Sequence, residues 1–473
     1  MDEVTAPPRG PAAPPPPPST PAPIAIPTPR PTINAEAGGP NGSRGDQRRF
    51  AGIAIFDPLR NRDFALLWMG MAISLLGDGI YFVAIAWQVL RLENAATALS
   101  LVGVAWTVPQ VLFLLFAGVM SDRFERRKVL VLADVTRAIA IGGIGLLTIS
   151  GSVELWHILV LVAFYGTGDA LFMPAFGAIV PDIVPSNRLV EANSLDQFVR
   201  PLMLRFVGPA VGGLIVTAVG AGPAFLIDAG TFCLSAVCVL LMRKTSRSRR
   251  EATGPPGIMR EISEGLRFVR TQTWLWVSLI AQAVGLLCFF GPLQVLVPII
   301  VKGNLNGTAG DYGIVLAAGG VGAIIASIAM AQRGLPRRSV TVMFMNLAAG
   351  TFVFTFFAVV HATWQAMLVS FFMTATFTVG IIVWGTLMHK LVPSDLLGRV
   401  SSLDWMVSTT LIPLSFALTG PIAHAIGEEA TLASAGVLGG ALILAFLFTP
   451  GLRRIETDPR LHERRKQAPA DVR

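Results

Sequence analysis

FALLWMGMAISLLGDGIYFVAIAWQV, residues 64–89, is an apolar run whose single charged side chain is Asp78. At about 1.5 Å of rise per residue, roughly twenty such residues cross the hydrocarbon layer of a bilayer, so this stretch is long enough to span one. Only a helix can do so, because lipid offers no partner to an open backbone. Runs of the same kind recur at Leu99 to Val119 and Gly222 to Met242.

The whole chain agrees. Of its 473 residues 53% are hydrophobic and 14% charged, a balance that no single soluble core could accommodate. The fold class expected is an all-α membrane protein of about twelve transmembrane helices. In the first half they are Phe64 to Val89, Leu99 to Met120, Val129 to Leu147, His157 to Ile179, Leu195 to Ala218 and Gly222 to Met242. The second half holds Leu275 to Val301, Tyr312 to Ala331, Ser339 to Val360, Trp364 to Leu387, Val400 to Ala425 and Ala430 to Phe448.

The formal net charge of +8 does not signify nucleic acid, since the basic residues lie in short loops between apolar runs and not on one face. They mark topology instead. Arg60, Arg62, the cluster Arg123, Arg126, Arg127 and Lys128, then Arg188, Arg243 to Arg250, Arg333, Arg337, Arg338, Lys390, Arg399, Arg453 and Arg454 all fall on one side. The other side offers little beyond Arg91 and Lys302, with Glu93, Glu154, Asp311, Glu428 and Glu429. Both termini are therefore expected in the cytoplasm, in a bacterial inner membrane. Cys233, Cys238 and Cys288 each fall inside a span, so neither a disulfide framework nor a metal site is expected.

The expected organisation has a proline-rich cytoplasmic tail over residues 1–50, without the apolar core of a signal peptide, and a six-helix bundle over 51–243. A cytoplasmic linker (244–273), a second six-helix bundle (274–452) and a short tail (453–473) follow. The two bundles read as copies. Ile183-Val184-Pro185-Ser186, Leu189 and Ser194-Leu195-Asp196 return as Leu391-Val392-Pro393-Ser394, Leu397 and Ser402-Leu403-Asp404 at unchanged spacing. A parallel repeat of this kind is one architecture of secondary transporters.

Two motifs carry a resemblance. Gly118-Val119-Met120-Ser121-Asp122-Arg123-Phe124-Glu125-Arg126-Arg127-Lys128, after the second span, resembles motif A of the major facilitator superfamily. Gly208-Pro209-Ala210-Val211-Gly212-Gly213, in the fifth, resembles motif C, the antiporter signature of that superfamily. Together with Gly77-Asp78-Gly79, the similarity runs from about Arg60 to Arg454 and leans to the branch of macrolide, multidrug and siderophore exporters and lysophospholipid transporters. It implies the major facilitator fold, with Gly118, Asp122, Arg123, Arg126, Arg127 and Lys128 as a conformational switch against the eleventh helix. It also implies that Gly208, Pro209, Gly212 and Gly213 set close packing and bending in an exporter. The arginine usual in the fourth helix is missing, replaced by Tyr165-Gly166-Thr167-Gly168-Asp169.

Ionisable residues within spans are costly and mark function. Asp78, Asp134, Arg137, Asp169, Arg205 and Asp228 crowd the first half, while the second has little beyond Asp404 and is expected to supply an apolar wall. Asp78 lies about 21 Å, and Arg205 and Asp169 about 16 Å, from the cytoplasmic ends of their helices. This trio is expected to form one proton-coupling site, with a static Asp78–Arg205 pair as the rival reading. Asp134 and Arg137 are expected to form a same-helix structural pair. Asp228, towards the periplasmic end, is a further candidate whose simpler reading is exposure to water. Aromatic residues such as Tyr81, Phe82, Phe113, Phe289, Phe377 and Trp384 are candidates to line a pocket for bulky amphipathic substrates, with most of them expected at lipid or interface positions.

The function expected is efflux of hydrophobic or cationic small molecules by alternating access and proton antiport, by a monomer that is not an enzyme. The alternative is a siderophore or lysophospholipid transporter of the same superfamily. No nucleotide-binding loop is present, so the proton gradient is the expected energy source and no cofactor or metal is called for. The partners expected are the transported small molecule and membrane lipid, with no nucleic acid.

Overall fold

Asn61 begins the first span: its side-chain oxygen accepts the backbone N–H of Asp63 at 3.0 Å, and Asp63 itself sits where the helix dipole favours negative charge. The computed structural model describes residues 58–92, 94–185, 188–243 and 258–461, apart from the side chains of 114–123, 190, 258–262, 394–395 and 460. The proline-rich tail and the start of the expected linker lie outside the described residues.

The helices of the first half are α1 (Arg62–Val89), α2 (Ala95–Arg123), α3 (Arg126–Ile149), α4 (Leu155–Ile183), α5 (Leu189–Pro201), α6 (Gly208–Val219) and α7 (Ala221–Leu241). A π-helical turn, Leu202–Val207, joins α5 to α6, so that these three pieces make one bent fifth span. Pro201 and Pro209 flank the turn and lack the N–H groups that would keep an α-helix continuous. After α8 (Ile258–Thr271), an amphipathic helix within the expected linker, come α9 (Thr273–Gly303), α10 (Ala309–Arg333), α11 (Ser339–Thr355), α12 (Thr363–Leu391), α13 (Ser394–Thr410), α14 (Ile412–Ile426) and α15 (Glu428–Leu447). The described residues contain twelve helices long and apolar enough to cross a membrane, the eleventh broken between α13 and α14 much as the fifth is broken.

Packing repeats with the sequence. In the first half α2 packs on α4, α3 on α4 and α7, and α1 on α7; in the second, α10 packs on α12, α11 on α12 and α15, and α9 on α15. The halves then meet crosswise, α6 against α10 and α14 against α2. Matching turns close each half. Gly220 (φ 88°) and Gly427 (φ 89°) adopt the left-handed backbone that glycine tolerates and so permit the abrupt reversal into α7 and α15.

Buried apolar side chains divide unequally along the membrane normal. At the arginine-poor end one cluster runs through both halves, from Ile80, Tyr81 and Val102 to Val295, Tyr312 and Phe416. At the arginine-rich end there are two clusters, one per half, around Leu67 with Ile179 and around Leu275 with Leu387. The joined end is sealed by backbones in close approach. A Cβ on Gly213 would meet Ala309 O at 2.8 Å and Gly310 Cα at 3.1 Å, and one on Gly313 would strike Pro209 O. Two hydrogen bonds cross the same seam: Gly310 N donates to Thr217 Oγ1 at 2.8 Å, and Lys302 Nζ caps Leu90 O at 2.5 Å.

Several sequence expectations are revised. The fourth and tenth spans run to Ile183 and Leu391, a turn beyond the expected ends, because Pro185 and Pro393 rather than the last apolar residue stop them. Tyr81, Phe289 and Trp384 are buried in the protein and do not face lipid, whereas Phe113 is 43% exposed.

Candidate functional site

Glycines decide where the charges meet. A Cβ on Gly168 would lie 2.7 Å from Arg137 Cγ and 3.0 Å from Ala133 O, and one on Gly166 would strike Trp106 O. Their absence lets α4 approach both α2 and α3, so that Asp169 is reached from two directions. Trp106 Nε1 donates to Asp169 Oδ2 at 3.3 Å, and Arg137 stands 3.5 Å from Asp169 Oδ1. On the opposite side, a Cβ on Gly77 would strike Asp228 Oδ1 and Thr231 Oγ1, which is how α7 comes up against α1 beside Asp78.

The outcome is one buried polar network across α1, α3, α4 and α7. Tyr165 Oη donates to Asp78 Oδ1 at 2.7 Å. Arg137 pairs with Asp134, whose other oxygen accepts Ser235 Oγ at 2.7 Å. The guanidinium is held between the rings of Phe172 and Phe232, each centroid 4.4 Å away, a cation–π sandwich that fixes it without a further anion. Thr231 Oγ1 donates to Asp228 O at 2.7 Å and lies 3.2 Å from Asp228 Oδ1, while Asp228 Oδ2 has no partner among the described residues. Asp134 and Asp228 are fully buried and Asp78 is 6% exposed. Four carboxyl groups thus lie in the neighbourhood of one guanidinium, which contacts two of them, Asp134 and Asp169.

This geometry corrects the expected trio. Asp169 is served by Arg137, from the third helix, and not by Arg205; Asp78 is served by Tyr165. Arg205 lies on the π-helical turn, exposed, with no hydrogen-bond or ion-pair partner among the described residues. The reason is rotational: the π-turn directs its backbone towards α10, where a Cβ on Gly320 would meet Arg205 O at 2.6 Å. Asp134 and Arg137 do form a same-helix pair, but as part of the network. Asp228 is not exposed to water, because Gly77 admits it to the interior.

Sequence reasoning missed Tyr165, Trp106 and Ser235. The signal for the first was legible, since glycines spaced through Tyr165-Gly166-Thr167-Gly168-Asp169 announce close approach beside an acid.

The motif regions are placed as follows. Gly118, Asp122 and Arg123 lie outside the residues whose side chains are described. Arg126 pairs with Asp182 and donates to Ala178 O at 2.9 Å, and Arg127 donates to Val239 O at 3.0 Å and to Leu240 O. Both cap the ends of α4 and α7 inside their own half, where cations suit the helix dipole. Lys128 lies 3.3 Å from Glu125. Gly208 and Gly212 pack on α1, where added Cβ atoms would come within 2.7 Å of Gly79 Cα and 2.8 Å of Ile80 Cα; Pro209 is buried beside them.

Between the halves, Tyr81, Phe82, Trp106, Gln294, Tyr312 and Phe416 line a small cavity. Trp106 belongs to both cavity and network: its ring lies 5.6 Å from Phe82 and its N–H reaches Asp169. Among the described residues there is no group of His, Cys, Asp and Glu able to hold a metal ion.

Residues 53–471 match the family described as Transmembrane secretion effector. The chain belongs to this family of major facilitator transporters. As a major facilitator protein it is a multi-pass membrane transporter and not an enzyme. Macrolide efflux protein A of Streptococcus pyogenes is 23% identical over 389 residues, covering 79% of this chain and 93% of that protein. Multidrug efflux pump Tap of Mycolicibacterium fortuitum is 27% identical over 397 residues, covering 80% and 94%. The fold is shared with a POT family transporter (TM-score 0.64, 13% identity, 84% and 97% coverage) and with a bacterial homologue of ferroportin in an inward-facing state (TM-score 0.61, 15% identity, 81% and 98%).

Replacing Gly168 with alanine is expected to destabilise this transporter by about 1–3 kcal/mol, because the wall it meets is the Ala133 carbonyl and the base of Arg137. Thermal unfolding in detergent checks this, with Gly177→Ala, where a Cβ meets nothing, as the neutral control.

Proposed function

We propose that this transporter exports hydrophobic or cationic small molecules by alternating access, driven by protons moving inward through the buried network. The observation that carries the reading is four carboxyl groups in the neighbourhood of one guanidinium, joined through Trp106 to a cavity between the halves. Paired with Arg137, one carboxylate is balanced; every further ionised acid would be an uncompensated buried charge, which costs several kcal/mol. The network therefore holds protons, and its affinity for them changes when water reaches it from one side or the other. Asp169, 21% exposed at its side chain, is the member closest to that water, and Asp78, bonded to Tyr165, is the more deeply buried acid at 6% exposed.

Similarity to a macrolide efflux protein and a multidrug efflux pump supports the direction and the substrate class. The arginine-rich end is cytoplasmic by the positive-inside rule, which places both termini in the cytoplasm of a bacterial inner membrane. The seam at Gly213 and Gly313 then closes the periplasmic side, and the protein works as a monomer with no cofactor.

Proteoliposomes loaded with a pH-sensitive dye test this. Adding erythromycin or ethidium should drive proton movement in the parent, and Asp169→Asn and Asp78→Asn should each reduce it at least about 10-fold, the order of effect expected for a group that carries protons. Proton movement at the parent rate in both variants would falsify the assignment.

A further inference from the structure

The two copies of the repeated segment differ at one chemically decisive place. Four residues beyond Asp196 stands Arg200, and four beyond Asp404, its counterpart, stands Ser408. One turn apart on a helix, such residues face each other, and in the first copy they pair: Arg200 lies 3.0 Å from Asp196. The same nitrogen also donates to the Met71 sulfur at 3.6 Å, and the other terminal nitrogen donates to that of Met173 at 3.7 Å. The acid of the first copy is thus neutralised within its own helix.

In the second copy only neutral groups attend the acid. Trp384 Nε1 donates to Asp404 Oδ2 at 3.1 Å, and Ser408 Oγ to Oδ1 at 3.4 Å. Gln282 Nε2 in turn donates to Ser408 Oγ at 3.0 Å. Trp384 takes the place of Phe176, nine residues before the shared proline in each copy, so the indole N–H is also new to the second half. No cation pairs with Asp404 among the described residues. The second half is therefore not the uniform apolar wall that its sequence suggested. Three helices, α9, α12 and α13, converge on a partly exposed acid oriented by two donors, with the Trp384 ring alongside and that of Trp274 6.0 Å from it.

Resting on the export reading above, we propose that Asp404 is the recognition point for the positive charge of a transported organic cation. A carboxylate oriented by neutral donors and paired with no cation leaves its charge to be balanced by a bound one, and the two donors fix the direction in which it points. The duplicated segment has thus divided its labour: the first copy balances its acid internally, and the second leaves the matching acid open to the cargo.

Ethidium, a cation, and N-phenyl-1-naphthylamine, a neutral aromatic, are suitable probes with the full-length protein in lipid nanodiscs. Ethidium affinity should fall at least about 10-fold in Asp404→Asn, the factor that loss of roughly 1.4 kcal/mol produces, while the neutral probe stays within about two-fold. Ser408→Arg, which installs the pairing of the first copy, should have the same effect through an intramolecular competitor. Asp196→Asn should leave both probes unchanged. Parent-like ethidium affinity in the two second-half variants, equal losses for both probes, or no ethidium binding by the parent would each overturn the proposal. These titrations need no proton gradient, so their failure is distinct from a failure of proton coupling at Asp78 and Asp169.

Discussion

Arg137→Gln is expected to destabilise the protein by about 3–5 kcal/mol, the usual cost of removing one partner from a buried ion pair. Arg137 is 2% exposed and, among the described residues, is the cation that contacts both Asp134 and Asp169, so glutamine leaves these acids with only the neutral donors Ser235 and Trp106 in contact. A drop in melting temperature of about 10 °C in detergent is the corresponding signal. Arg137→Lys should fall between, since lysine keeps the charge but loses the planar fork that fits between Phe172 and Phe232 and reaches two carboxylates. Adding Asp134→Asn to Arg137→Gln should recover part of the loss, because one stranded charge is removed, and the double-mutant cycle should show that the two positions couple by at least about 1 kcal/mol. A melting temperature for Arg137→Gln within about 2 °C of the parent would show that the network does not depend on its cation.

A second large effect is expected at the seam. Leucine at Gly313 would push into Pro209 O and Gly213, with Gly213 N only 3.2 Å from the first added carbon. Backbone cannot yield there as a flexible side chain can. The variant should fold, because each half keeps its own core, yet fail to close the arginine-poor end, with transport falling at least about 10-fold as the population of the closed state drops by 1.4 kcal/mol or more. A cysteine placed at Thr217, whose hydroxyl accepts the Gly310 N–H across the seam, reports the state directly. In a background lacking Cys233, Cys238 and Cys288, it should be alkylated at least about 10-fold faster in the Gly313→Leu protein, by the same shift in population. Equal alkylation rates would mean that the seam tolerates the side chain and that closure depends on other contacts.

The number of spans, their order and the duplication were all legible from residues alone, because hydrocarbon imposes length and apolarity on every crossing helix and the recurring Pro-Ser and Ser-Leu-Asp spacing survives in both copies. The site was only half legible. Which acids are intramembrane can be read from position, and Asp78, Asp134, Asp169 and Asp228 were found that way. Which partner each one takes depends on helix rotation and on the distance between axes. Those were set by Gly77, Gly166 and Gly168, whose effect appears only when the facing helix is known. The π-turn at Leu202–Val207 is a further case: periodicity places Arg205 at the right depth, but the extra residue in the turn changes its azimuth and separates it from Asp78. Burial of Asp228 was missed because its distance from the helix end suggested water, while the small residue opposite it drew it inward.

The unequal division of the apolar core has a thermal consequence. Parting the shared cluster of Tyr81, Val295, Tyr312 and Phe416 wets hydrocarbon surface, and such wetting carries a positive heat-capacity change. The penalty for that wetting shrinks on cooling. The protein should therefore rest increasingly in its outward-gaping form as temperature falls, and the curvature of its conformational equilibrium with temperature measures how much of that cluster comes apart.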